Sequence, residues 1–209
     1  MMIFHDAKFV EIDLLLRRGA HINRSSLVAY EYMSQNFEEL QSFYAQYGCA
    51  LHQHPDGFFY ITAKNGMLRT RLLPKSCVHL GIFIALKARD PEITRSLGRI
   101  PMNTLIQDIE TSIPRSVLQQ IYAPKRRDAV VDEVISDEIR RSLKTLSDLG
   151  FIEMTDVAIR PLEAINRFSE LARYNNEPDE SSRLTLSIQR GVVFSEGAEN
   201  EEYEDTPDE

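Results

Sequence analysis

The chain of 209 residues has no tryptophan, two cysteines and nine glycines. It also has no apolar run near the roughly 20 residues that a membrane-spanning helix needs. Cys49 and Cys77 allow at most one bridge. Their spacing matches neither a disulfide scaffold nor a zinc knuckle, so both thiols are expected reduced and half-buried. The opening ten residues carry His5, Asp6 and Lys8 and lack the apolar block of a signal peptide, which sets the expectation of a cytoplasmic protein. Catalytic signatures are missing as well. There is no G-x-x-x-x-G-K-S/T phosphate loop and no G-x-S-x-G nucleophile elbow.

The remaining polar candidates assemble no chemistry. His52 and His54 share one face of a strand, whereas Cys49 has the opposite parity and points away, which defeats a Cys/His metal cluster. Two solvent-facing histidines are expected there. Cys77 and His79 stand two apart on a helix and do not meet. Acidic pairs such as Glu38-Glu39 and Asp132-Glu133 are sequential, as on solvated faces. No catalytic, metal-binding or cofactor-binding residue is assigned, and any ATP used by the system must be hydrolysed by a partner.

What is present begins with charge. The net charge of −8 is not uniform, because residues 196–209 hold eight acids and no base. The remaining acids number 24, equal to the 24 Lys and Arg, so the body is neutral and the acidity sits in a tail expected to be disordered.

Apolar periodicity then outlines two halves. Phe9, Ile12, Leu15 and Leu16 recur at helical spacing ahead of Gly19. Asn23, Ser25 or Ser26 can cap a second helix carrying Leu27, Tyr30 and Met33. A third, over about 37–47, carries Phe37, Leu40, Phe43, Tyr44 and Tyr47. Strand-like runs at 49–54 and 58–63 flank Pro55-Asp56-Gly57, a hairpin turn. Three helices followed by a hairpin is winged-helix grammar.

The second half repeats it after Pro74. Residues 77–86 form a buried helix stopped by Asp90-Pro91, followed by a helix over 102–113 and a short helical piece through Val117, Leu118 and Ile121. The longest amphipathic segment runs from Val131 to Leu149. A hairpin over 151–160 follows, and Pro161 is placed to start a closing helix through Leu162, Ile165, Phe168 and Leu171. The expected fold is mainly α with small β-hairpin wings, as tandem winged-helix domains. The first domain covers 1–73 and the second 74–176. A segment of uncertain structure covers 177–195, and the acidic tail 196–209.

Two surfaces qualify for binding. In the strand 58–63, parity separates Phe59, Ile61 and Ala63 from Phe58, Tyr60 and Thr62. If one side is open, Phe58 and Tyr60, with Tyr44 or Tyr47, make an exposed aromatic patch suited to a protein partner. The alternative is that the second domain buries that side. A basic surface consists of Lys125, Arg126 and Arg127 before the long helix and Arg140, Arg141 and Lys144 on it. These side chains stand where a winged helix meets phosphate, balanced by Asp137, Glu138 and Asp148, and any DNA contact is expected to be sequence-neutral.

Several blocks resemble a known family. EIDLLLRRGAHI (11–22) followed by FEELQSFYAQYGCALHQHPDGFFYI (37–61) is similar to the N-terminal domain of the MukE chromosome-partition family and its condensin-like MksE relatives. LLPKSCVHLGIFIALKARDPE (72–92), IRRSLKTLSDLGFIEM (139–154) and INRFSELARYNNEP (165–178) resemble later parts of that family in the same order, while 93–130 falls outside the resemblance. The resemblance implies a kleisin-binding tandem winged-helix protein. Such a protein dimerises and clasps a MukF-like kleisin, which closes a MukB-like SMC ATPase in nucleoid-associated chromosome condensation and segregation. The alternatives are a winged-helix transcription regulator, or a subunit of a related plasmid-defence complex.

Overall fold

The computed structural model describes residues 6–64, 72–124, 131–171 and 179–191. The described part is mainly helical, with two small antiparallel sheets of three strands each.

The first half runs α1 (Ala7–Arg17), β1 (Ile22–Asn23), α2 (Leu27–Gln35), α3 (Phe37–Gln46), β2 (Cys49–His54) and β3 (Phe58–Ala63). Asp6 caps α1 by accepting from the Lys8 amide at 2.9 Å, which satisfies one of the donors a helix start leaves open. The spacing of Phe9, Ile12 and Leu16 puts all three on the buried side of α1. Gly57, at φ +91°, closes the β2–β3 turn with its amide donating to the His54 carbonyl at 2.9 Å. The sheet order is β1-β3-β2, with His52 opposite Tyr60 and His54 opposite Phe58.

The second half repeats that order with insertions: α4 (Lys75–Lys87), α5 (Pro91–Arg95), β4 (Ile100–Pro101), α6 (Met102–Ser112), α7 (Arg115–Tyr122), α8 (Val131–Asp148), β5 (Ile152–Met154) and β6 (Ala158–Pro161). Its sheet is ordered β4-β6-β5, the same arrangement as in the first half. α4 is buried on every side from Ser76 to Ala85, as its unbroken apolar run requires. A 3-10 turn (Glu163–Asn166), α9 (Arg167–Leu171) and α10 (Glu180–Arg190) complete the described chain.

Several expectations change. Asp90-Pro91 does more than end α4: the Asp90 carboxylate accepts from the Glu92 amide at 2.9 Å and starts α5, with Pro91 in its first turn. Pro161 ends β6 rather than opening a helix, and the closing segment is a 3-10 turn leading into a short α9. Leu27, carried by the second helix as expected, is exposed there; of α2 only Met33 is fully buried. The segment 177–195 contains α10, with Leu184 and Ile188 buried. The His79 Nε2–H holds this helix by donating to the Ile188 carbonyl at 3.0 Å, while Nδ1 accepts the Tyr122 hydroxyl at 3.0 Å. The tail 196–209 lies outside the described residues.

Two apolar cores result. One gathers Phe9, Ile12, Leu16, Ile22, Met33, Leu40, Tyr44, Cys49, Leu51 and Phe59. The other is built by α4, α6–α8, the second sheet, α9 and α10, and it also takes in Phe58. Neighbouring residues of β3 therefore enter different cores, because successive side chains of a strand point to opposite faces.

Candidate interaction surfaces

The parity reading of β3 separates the residues correctly, but the exposed aromatic patch does not form. Phe58 is fully buried, stacked on His54 with ring centres 4.4 Å apart. Tyr60 is half-buried between His52, stacked at 4.8 Å, and the Arg167 guanidinium, 4.1 Å from its ring centre. The second half covers this face, the alternative weighed from the sequence.

Tyr44 is also interior. Its hydroxyl donates to Asp13 at 3.1 Å, and Asp13 is held by Arg17 at 2.8 Å. Burial first, and then the Asp13 carboxylate, hold the Tyr44 phenol well above its ordinary range. Tyr47 alone of the four is exposed, with Arg17 4.8 Å from its ring centre.

The histidines of β2 are not solvent-facing. His52 Nε2 meets the Thr62 hydroxyl at 2.7 Å, and His54 reaches Glu170 of α9 at 3.3 Å. His21 of the first half, on which the sequence placed no role, lies deeper at the same junction. Its amide and its Nδ1 both lie 2.9 Å from the Leu149 carbonyl, and Nε2 lies 2.7 Å from Arg167 Nη1. Burial, then the Arg167 charge, lower its pKa from 6.5 to about 3. The missed signal was a histidine directly ahead of a two-residue strand, which has no periodicity to reveal it.

Cys49 and Cys77 are free and buried, rather than half-buried, and burial raises both thiols above their ordinary range. Among the described residues no group of three or more His, Cys, Asp or Glu is placed to hold a metal ion. No described helix is long and apolar enough to cross a membrane.

Lys125, Arg126 and Arg127 lie outside the described residues. Arg140, Arg141 and Lys144 are exposed on α8, opposite the buried Ile135, Ile139, Leu143 and Leu146. Arg141 pairs with Glu138 at 2.9 Å and Lys144 with Asp148 at 3.7 Å. Solvent-exposed pairs of this kind contribute little to stability, but they offset the positive field a phosphate backbone would meet.

A different surface stands out. Val10 (52% exposed), Leu14 (50%), Leu27 (60%) and Val28 (60%) project from α1 and the start of α2. A groove of about 300 Å³ runs between these helices, lined by Lys8, Glu11, Ile12, Leu15 and residues 26–29. Leu27 and Val28 are the exposed aliphatic side chains on the wall of this groove, the kind of surface suited to association, while Val10 and Leu14 lie on another face of α1.

These features, a twice-repeated helical unit with apolar and mixed-charge faces, accompany a family match spanning residues 7–173, and the match places the chain among condensin complex proteins. It runs through 93–130, the stretch outside the blocks that carry the resemblance. Within that class the chain belongs to the family of condensin complex protein MksE. Curated relatives match most of the chain. Chromosome partition protein MukE of Shigella flexneri is 26% identical over 187 residues, 85% of this chain and 81% of that protein. The MukE of Aliivibrio salmonicida is 26% identical over 201 residues, 94% of this chain and 84% of that protein. That of Vibrio cholerae is 25% identical over 191 residues, 90% and 83% respectively.

Proposed function

We propose that this chain is a non-catalytic accessory subunit of an SMC complex, acting in chromosome partition by holding protein partners. The observation that carries this is membership of the MksE family across residues 7–173. In this reading each half is a winged helix, for which the repeated order helix, short strand, helices, hairpin gives support. The partner is a kleisin, which joins the chain to an SMC ATPase. The groove at α1 and α2 receives a second copy of the chain. A two-fold contact must be self-complementary, and Lys8 and Glu11 on the groove wall allow the lysine of one copy to face the glutamate of the other.

Contact with DNA through α8 is secondary, since Arg141 and Lys144 already have acidic partners. The test is co-expression with a kleisin from the same genome, followed by affinity capture through a tag on the chain. Recovery of the kleisin is expected to persist through a high-salt wash. Kleisin absent from the captured material, with the chain folded, contradicts the proposal.

A further inference from the structure

The junction between the halves combines a polar cluster with the buried ring of Phe58, which the second core takes in. Besides the His21 bonds, Asn23 donates to the Gly150 carbonyl at 2.7 Å and accepts from the Ala164 amide at 3.1 Å. The turn at 149–151 and the 3-10 segment are thereby tied to the entrance of β1. Phe151 packs on the His21 ring at 4.4 Å. Gly150, at φ +73°, leaves no room for a side chain: a Cβ there would lie 2.6 Å from the His21 carbonyl oxygen. The bonds across the junction are made by side chains and turn backbone, and among the described residues no strand pairs between the two sheets.

We propose that this cluster is a latch: while the His21 ring is neutral it holds the two halves in one orientation, and protonation of the ring loosens that orientation while the helices of each half stay folded. The geometry fixes the logic. Nδ1 faces a carbonyl and must carry a hydrogen, so Nε2 must accept from Arg167. A second ring proton destroys that bond and sets an imidazolium against a guanidinium. The other ionisable groups at this face do not compensate. His52 on β2 gains only positive charge, and Tyr60 on β3 meets the Arg167 guanidinium with its ring face. His54 is engaged by Glu170 of α9 at 3.3 Å and Asp56 of the turn at 3.7 Å, so those carboxylates serve His54 rather than His21. Burial and Arg167 keep the closed ring neutral through ordinary pH, so release follows acidification.

The test attaches spin labels to the full chain at Glu39→Cys and Arg140→Cys, both exposed positions, one in each half; the native cysteines are buried. Distances between labels and far-ultraviolet circular dichroism are recorded as pH falls from about 7.5 to about 4, the range that brackets ordinary histidine protonation. One narrow distance distribution at the upper end should broaden at the lower end with the dichroism unchanged. Arg167→Gln keeps a donor without the charge and should move the broadening to lower pH. A distribution that stays narrow until helicity is lost overturns the latch, and so does an acid profile that Arg167→Gln leaves in place. Should the variant not fold, a nuclear magnetic resonance titration of the His21 ring in the unmodified chain decides. The ring should take up its proton together with release, whereas ordinary titration in a still-closed junction overturns the proposal.

Discussion

Phe58 and Phe59 stand side by side on β3 and are both fully buried, yet they are buried by different parts of the chain. Phe59 meets Tyr30 and Phe37, with ring centres 5.1 and 5.9 Å away, and the core it joins is closed by residues 9–59. Phe58 joins a core whose other members all lie from Cys77 onward. One face of the hairpin is thus completed locally, and the other by a segment far along the chain. The second half closes its own core and also covers its neighbour. The first half depends on that cover and still leaves four aliphatic side chains exposed on α1 and α2.

Substitution at β3 gives the largest expected effect. Phe58→Ala and Phe59→Ala each remove a buried ring, at a cost of about 3–5 kcal/mol. They should differ in kind. Phe59→Ala weakens the first core alone, while Phe58→Ala also separates the unfolding of the halves, followed by urea titration with a probe in each. A loss below about 1 kcal/mol for Phe58→Ala contradicts its placement between the halves.

Acidification is next. His21 has a folded pKa of about 3 against an ordinary 6.5, so below pH 6.5 the unfolded chain binds the extra proton. Its contribution is complete above that pH and declines as pH falls towards 3. Lowering the pH from 7.5 to 5 should therefore cost roughly 2 kcal/mol through this ring. His79, also lowered by burial, acts in the same direction. A urea midpoint that is flat across this range contradicts the neutral, buried ring.

Gly150→Ala combines a left-handed backbone with a collision at the His21 carbonyl, and should cost more than about 1 kcal/mol in the same titration. Leu27→Ser with Val28→Ser should have the smallest effect on stability, within about 0.5 kcal/mol, because both side chains are exposed. Its readout is mass in solution. Light scattering should show self-association reduced, and an undiminished dimer removes α1 and α2 from that interface.

Much of this contrast was legible from local pattern. The assignment of Phe58 and Phe59 to opposite faces follows from strand alternation alone. The α8 stripe of Ile135, Ile139, Leu143 and Leu146 follows from helical spacing. What covers the Phe58 face was not legible, because Phe151, Arg167 and Glu170 lie about 90–110 positions away and no local rule brings them near. β1 and β4 have two residues each, too few to alternate. Tyr44 was offered to the open face beside Phe58 and Tyr60, but Asp13, two helices earlier in the chain, accepts its hydroxyl and lets the ring sit inside.

The claim that the halves form one body across β3 is tested most directly by hydrogen exchange at neutral pH under increasing urea. The amides of Leu40 in α3, which donates to the Asn36 carbonyl at 2.9 Å, and Leu143 in α8 report the two cores. They should lose protection at the same urea concentration in the unmodified chain, with Leu40 moving ahead only in Phe58→Ala. Loss of protection at Leu40 well before Leu143 in the unmodified chain would show two independent units and contradict the claim.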